Sequence, residues 1–188
     1  QVEIIDLPGI NSLFPTSKDE ELVVKYLTET ESEDYPDKIV LIVSALNLKR
    51  NLYLFEQIRD LNVPMVLAVN MVDLAEKRGV FVDVAALKKH LDVPVFEISA
   101  KTGKGLEDLI MAFDQPLEIT PRPETYLTNE DLTILEKFDS DTKAKRYRNF
   151  LRITQHEDDT HVQDLVKKHN IAVKKWKKHH HARGEEER

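Results

Sequence analysis

The sequence predicts an α/β fold in which an incomplete, doubly wound parallel sheet is followed by a small, mainly helical C-terminal region. Two observations predict it. Short apolar runs rich in β-branched residues alternate with amphipathic helices over the first two thirds of the chain, and strands separated by helices of this length pair in parallel. The last third shows helical spacing only. We therefore expect a sheet domain at 1–115, a proline-containing linker at 116–124 and a helical region at 125–188.

Four apolar runs in the sheet domain are typical of strands: Val2–Ile5, Ile39–Ala45, Pro64–Val69 and Pro94–Ile98. The first ends at a Pro-Gly turn. The second is a continuous apolar run, which predicts a strand that is buried on both faces of the sheet.

Helices are predicted between and after these strands. The first begins at Ser17, with Glu20 three residues later in a capping-box pattern, and the next two lie at Leu48–Leu61 and Val84–Leu91. A helix at Gly105–Phe113 closes the sheet domain. Its apolar positions are expected to face the sheet: Leu106, Leu109, Ile110 and Phe113.

The helical region contains three segments with helical spacing. The first is capped at Thr128, and the others are Lys143–Ile153 and His161–Trp176. A basic, histidine-containing tail follows at Lys174–His181, and we interpret it as a solvated tail.

Composition excludes several classes of function. The net charge of −7 argues against general binding of nucleic acid. Since the chain of 188 residues has no cysteine, it has neither a disulfide framework nor a thiolate metal site. No apolar run approaches the roughly 18 residues that a membrane-spanning helix needs.

Three short motifs directly follow predicted strands: Asp6-Leu7-Pro8-Gly9, Asn70-Met71-Val72-Asp73 and Ser99-Ala100-Lys101. Ligands of parallel sheets bind outside the carboxyl ends of the strands, where all three motifs lie. Each motif alone is a common turn or loop. Their joint order is typical of the switch, base-recognition and base-support elements of a GTPase, so the predicted sheet is of the P-loop GTPase type.

The base-recognition motif supplies acceptors that match guanine. Asp73 offers two oxygens in one plane to the N1–H and 2-amino donors of the base, and a wrong base leaves this carboxylate unpaired. Asn70 is expected to brace the loop that contains Met71 and to reach the N7 edge of the purine.

The base-support motif is expected to contact the same base from the next strand. Ser99 begins this motif, the backbone N–H of Ala100 is expected to donate to the guanine O6, and Lys101 is expected to lay its methylene stem along the ring.

The switch motif is expected to face the phosphates of GTP or GDP. Asp6 holds Mg²⁺ through a water in this prediction, because Mg²⁺ sheds its hydration reluctantly. Gly9 lets the backbone approach the γ-phosphate and donate its N–H. Ile10 stands where Ras-like enzymes keep a glutamine that orients water, so slow hydrolysis is expected; no catalytic residue is assigned.

No Gly-x-x-x-x-Gly-Lys-[Ser/Thr] loop occurs in this sequence. That loop supplies the N–H groups, the lysine and the hydroxyl that hold the phosphates and Mg²⁺. We expect it and switch I to lie upstream of Gln1 in a longer protein. Catalysis by these 188 residues alone is not expected.

Four strings extend the similarity beyond a generic GTPase: Asp6–Leu13, Asn47–Leu54, Val63–Asp73 and Ser99–Gly105. With them, about residues 1–113 resemble the bacterial ferrous iron transport protein B family. One departure is Val43-Ser44-Ala45, where the family usually reads Val-x-Asp-Ala.

The resemblance implies a regulatory GTPase domain, a small helical domain and then a membrane domain that conducts Fe²⁺. It implies slow GTP hydrolysis that gates iron uptake, at the cytoplasmic face of the bacterial inner membrane and through a membrane domain absent from this chain. Two alternatives remain open from the residues: a soluble ribosome-assembly or translational GTPase, and a degenerate GTPase fold that acts as a non-catalytic interaction module.

Overall fold

The computed structural model describes most of the sheet domain and part of the helical region. The described residues are 2–113, 115–119, 127, 129–138, 141–155 and 163. The predicted cap at Thr128, the basic tail and, apart from Gln163, the predicted helix at His161–Trp176 lie outside them.

Three strands form a parallel sheet in the order β1-β2-β3, with β1 at Ile39–Ser44, β2 at Met65–Asn70 and β3 at Val95–Glu97. The register sets Ser44 opposite Asn70. The carboxyl ends of β1 and β2 therefore meet at one edge of the sheet.

Seven α-helices lie within the described residues: α1 Lys18–Thr28, α2 Leu48–Asp60, α3 Val72–Lys77, α4 Val84–Leu91, α5 Leu106–Phe113, α6 Asn129–Leu135 and α7 Lys143–Gln155. A short 3₁₀ turn, Ala45–Asn47, joins β1 to α2. The predicted helices that lie within the described residues are confirmed close to their predicted bounds. Sequence reasoning missed α3, because its six residues are too few to show a helical period.

The predicted start of α1 is confirmed. Ser17 Oγ accepts a hydrogen bond of 3.3 Å from the Glu20 N–H. The Glu20 carboxylate in turn accepts from the N–H of Thr16 at 2.7 Å and from its hydroxyl at 2.8 Å. These bonds, the backbone one foremost, lower the pKa of Glu20. The helix then buries Val23 and Leu27 against the core.

The prediction of a strand at Val2–Ile5 is wrong. This segment is irregular, and Val2 is 66% and Ile4 86% exposed. A strand needs a neighbour for its N–H and C=O groups. Among the described residues β1 pairs only with β2, and no described strand lies beside residues 2–5.

The prediction that β1 is buried on both faces of the sheet is wrong for one face. Leu41 and Val43 are buried, but Ile42 is 60% exposed although Ala68, opposite it in the register, is fully buried. The same face carries α5, in which Leu109 is buried while Ile110, expected to point inward, is 63% exposed. The helix covers the centre of the sheet and leaves the outer strand uncovered.

The larger core cluster joins the sheet to the helical region. It combines Leu67 and Val69 of β2 with Leu13 of the segment before α1 and with residues of α7. The α7 residues in it are Tyr147, Phe150, Leu151 and Ile153. The rings of Phe14 and Phe150 meet edge to face, with their centroids 6.0 Å apart, a favoured aromatic geometry.

Within the described part of the chain, none of the helices combines the length and the apolarity that crossing a bilayer requires.

Candidate nucleotide site

The base-recognition and base-support motifs lie together at the carboxyl edge of the sheet. β2 ends at Asn70, and β3 ends two residues before Ser99. Since the strands are parallel neighbours, the loops that follow them face each other.

Asn70 joins the two loops. Its Oδ1 accepts from the N–H of Met71 at 2.7 Å and from the N–H of Ala100 at 3.1 Å. Met71 has a left-handed backbone, with φ of +67°, a conformation that costs an ordinary residue roughly 1–2 kcal/mol. The hydrogen bond from its N–H to Asn70 offsets part of that cost. The Ala100 N–H, predicted to reach guanine O6, is directed to Asn70 in this structure.

Asp73 and Ser99 form the second link between the loops. Ser99 Oγ donates to Asp73 Oδ1 at 2.7 Å, and the same hydroxyl oxygen accepts from the Thr102 N–H at 3.3 Å. The Thr102 contact occupies a lone pair of the hydroxyl and leaves its hydrogen for Asp73. This hydrogen bond is the largest of the causes that lower the pKa of Asp73. Asp73 is thereby held as a carboxylate, the form that can accept from two donors of a base.

A glycine shapes the base-support loop. Gly105 has φ of +73°, and a Cβ built there would stand 2.0 Å from the carbonyl oxygen of Glu97. The Ser99 N–H donates to the Lys104 carbonyl at 3.0 Å, and the Gly103 N–H donates to the Ser99 carbonyl at 2.8 Å. These bonds close the loop tightly and leave the side chain of Lys101 exposed at its tip.

The Lys104 ammonium pairs with Glu76 of α3 at 3.0 Å. Both side chains are about half exposed, so the pair adds little to stability. The Glu76 carboxylate raises the pKa of Lys104. The pair is a further contact between the base-support loop and the helix that carries Asp73.

Ser44 also contacts the base-recognition loop, which sequence reasoning did not establish. Its hydroxyl donates to Met71 Sδ at 3.7 Å and accepts from the Leu46 N–H at 3.3 Å. Its own N–H donates to Asn51 Oδ1 of α2 at 3.2 Å. The signal in the sequence was its place near the end of the predicted strand Ile39–Ala45.

The structure does not join the switch motif to these loops. Asp6 and Gly9 are exposed, and within the described residues no hydrogen bond links either of them to the base loops. No group of three or more described His, Cys, Asp or Glu side chains is placed to hold a metal ion. A single carboxylate does not make a Mg²⁺ site. Asp6 therefore fits this cation only together with the waters and phosphate oxygens that Mg²⁺ prefers.

A parallel sheet with helices on both faces and these motifs at its carboxyl edge has the fold of P-loop GTPases. Residues 1–113 match the family model described as ferrous iron transport protein B. The chain belongs to the ferrous iron transport protein B family.

Curated relatives and solved structures agree with this assignment. The Fe(2+) transporter FeoB of Staphylococcus aureus (strain MSSA476) is 44% identical over 108 residues, which are 57% of this chain and 16% of the relative. The chain thus spans about a sixth of the length of that relative. This family assignment sets aside a ribosome-assembly or translational GTPase.

Two solved structures show the shared fold. The FeoB G-domain from Methanococcus jannaschii is 39% identical, with a TM-score of 0.54, and the match covers 58% of this chain and 68% of that one. The mGMPPNP-bound NFeoB from S. thermophilus is 31% identical, with a TM-score of 0.63, and the match covers 85% of this chain and 60% of that one.

Proposed function

We propose that this chain is the base-recognition part of a guanine-nucleotide-binding regulatory domain of a bacterial Fe(II) transporter. One observation carries the proposal: Asp73 and Asn70 are each fastened to the loop after β3, through Ser99 and the Ala100 N–H. Such a brace places acceptors and donors from two strands around one planar ligand.

Guanine matches these groups chemically. The Asp73 carboxylate accepts from N1–H and the 2-amino group, and the amide nitrogen of Asn70 reaches toward N7. The N–H of Ala100 turns from Asn70 to O6, and the stem of Lys101 covers one face of the ring. The S. thermophilus relative, described as mGMPPNP-bound, supports this ligand class.

The phosphates of GTP or GDP are held mainly by groups outside these 188 residues. Asp6 would hold Mg²⁺ through a water, and the N–H of Gly9 would meet the γ-phosphate. Ile10 cannot orient an attacking water, so the intact protein hydrolyses GTP slowly. A phosphate loop and switch I from an upstream segment complete the site.

The family assignment supports a role as a cytoplasmic regulator, and we propose the following division into domains. A GTPase part at 1–115, a linker at 116–124 and a helical region at 125–188 precede a membrane domain that carries Fe²⁺. The packing of α7 into the same core as Leu13 supports a helical region that is joined firmly to the GTPase part. The proposed location is the cytoplasmic face of the inner membrane.

Isothermal titration with GDP and ADP, with Mg²⁺ present, tests the proposal. We expect GDP to bind at least about tenfold more tightly than ADP. Binding of GDP tighter than about 10 μM, which corresponds to roughly −7 kcal/mol, contradicts an interaction module that binds no nucleotide. Asp73→Ala abolishes the preference for GDP, whereas Asp108→Ala, a change of the same type on the exposed surface of α5, leaves it intact.

Equal affinity for GDP and ADP contradicts the assigned role of Asp73. Absence of binding for both nucleotides favours the other open interpretation, a degenerate GTPase fold that serves as an interaction module.

A further inference from the structure

A fully buried glutamine of α2 contacts the stretch from the switch motif to the start of α1, residues 6–17, which we call the switch segment. Gln57 lies on the apolar face of α2, beside Ile58, and is 0% exposed. Its Oε1 accepts from the backbone N–H of Leu13 at 2.8 Å, across 44 residues of sequence. Leu13 is itself 0% exposed, so water does not compete for this hydrogen bond.

Packing alone does not explain the amide of Gln57. Its Nε2 is buried and has no hydrogen-bond partner among the described residues. Burying a donor without a partner costs free energy. A methionine has similar length and fills such a position without that cost. The presence of an amide at position 57 is therefore explained by its oxygen, which accepts the hydrogen bond from the N–H of Leu13.

Leu13 divides the switch segment into two parts with different surroundings. Before it, Asp6 and Gly9 are exposed and make no hydrogen bond to the base loops. After it, Phe14 packs on Phe150, and Ser17 caps α1. The first part is exposed at Asp6 and Gly9, and only Leu7 and Ile10 pack partly against the core. The second part is anchored through buried Leu13.

We propose that Gln57 is a positioning residue that fixes the switch segment at Leu13. A displacement of Gly9 toward a γ-phosphate then ends at Leu13 and does not continue into α1. The assignment of Gly9 rests on the proposed function, while the hold on Leu13 rests on the geometry of the chain itself. Gln57 acts through the backbone of the segment and does not contact nucleotide.

Amide hydrogen exchange of the full 188-residue chain, resolved by NMR without nucleotide, tests the hold on Leu13. Gln57→Met removes the acceptor, and Gln57→Glu retains an oxygen at the same reach. In the methionine variant we expect the amide of Leu13 to exchange at least about tenfold faster. The amides of Val66 to Val69 in β2 keep their rates, and the glutamate variant restores slow exchange at Leu13.

Two results overturn the proposal in that experiment. Unchanged exchange at Leu13 in Gln57→Met shows that the contact does not hold the segment. Equal acceleration in β2 shows that Gln57 serves only the stability of the core. Circular dichroism confirms that each variant is folded, and the methionine variant decides the question alone if the glutamate variant does not fold.

A second measurement follows the exchange of the wild-type chain with GDP and with GMPPNP, both with Mg²⁺. We expect the two nucleotides to differ in their effect on residues 6–12 and to leave the amides of α1 unchanged. Differences that extend into α1 overturn the proposal. If the wild-type chain binds neither nucleotide, the proposed function fails, and the exchange rate of Leu13 without nucleotide still decides the role of Gln57.

Discussion

Asp73 Oδ1 lies 2.7 Å from Ser99 Oγ, so one short hydrogen bond ties the loop after β2 to the loop after β3. The serine is 1% exposed, whereas the aspartate is partly exposed. A buried hydroxyl thus orients a partly exposed carboxylate at the carboxyl edge of the sheet. Hydrogen bonds to charged groups are stronger than those between neutral groups, and this one fixes the group that is proposed to recognise the base.

Ser99→Ala tests this orientation. The variant removes the donor to Asp73, so the carboxylate loses its fixed position and we expect the affinity for GDP to fall by about tenfold. Isothermal titration measures the change. Ser32→Ala, in the loop after α1, is the matched control and keeps wild-type affinity. An unchanged affinity in Ser99→Ala contradicts a role for this hydrogen bond in base recognition.

The pH dependence of base recognition follows from the lowered pKa of Asp73, whose first cause is the bond from Ser99. A carboxyl group whose pKa is lower in the folded state than in the unfolded state stabilises the folded state at pH values above the unfolded-state pKa. This stabilisation is lost as the pH falls through the folded-state pKa. We therefore expect Asp73 to stay ionised below its usual value of 3.8. NMR titration of its Cγ measures the midpoint.

In Ser99→Ala the Asp73 midpoint rises toward the usual value, because the bond that favours the charged form is gone. A wild-type midpoint at or above the usual value, or identical midpoints in the two proteins, contradicts this account.

Asp73→Asn tests which base is recognised. An asparagine presents one acceptor and one donor, which match the N1–H and the 2-oxo group of xanthine. We expect the affinity for GDP to fall by at least about 100-fold and that for xanthosine diphosphate to rise above it, because buried polar groups discriminate strongly against a mismatched partner. Competition between the two nucleotides measures the switch. Retained preference for GDP excludes a direct contact between Asp73 and the base.

Gly105→Ala tests the shape of the base-support loop. A methyl group at position 105 would collide with the Glu97 carbonyl oxygen, and the alanine would have to adopt a positive φ. We therefore expect the free energy of unfolding to fall by about 2–4 kcal/mol. Gly103→Ala is the control, because that glycine has φ of +83° but open space around it. It costs only about 1–2 kcal/mol. Urea unfolding measures both, and equal losses contradict the steric account.

Phe150→Ala tests the packing of α7 on the sheet domain. Phe150 is 0% exposed and meets Phe14 edge to face, so its truncation is expected to cost about 3–5 kcal/mol. Phe81→Ala removes the same side chain where it is 84% exposed and is expected to change stability by less than about 0.5 kcal/mol. Thermal unfolding compares the two. A small effect at Phe150 indicates that α7 unfolds independently of the sheet domain.

Much of the fold was predictable because β2 and β3 are apolar runs and the longer helices have a strong helical period. Pro64–Val69 is an apolar run that is buried wherever it lies in a sheet, and the structure confirms it as β2. The run Val2–Ile5 has similar composition, but a strand exists only with a partner, and none pairs with it among the described residues. Ile42 is exposed for a related reason. A strand residue is buried only where a helix covers it, and α5 packs on β2 and leaves Ile42 of β1 uncovered.

The sequence by itself determined the family and predicted the class of ligand. The residue types of Asn70–Asp73 and Ser99–Lys101, each placed after an apolar run, are local properties of the chain. Only the tertiary structure decided which groups touch. Ser99 reaches Asp73, Ser44 reaches Met71, and Gln57 reaches the N–H of Leu13. A hydrogen bond needs two groups within about 3 Å, or 3.7 Å for the sulfur of Met71. For residues 26 to 44 positions apart, that distance is set by strand register and helix packing.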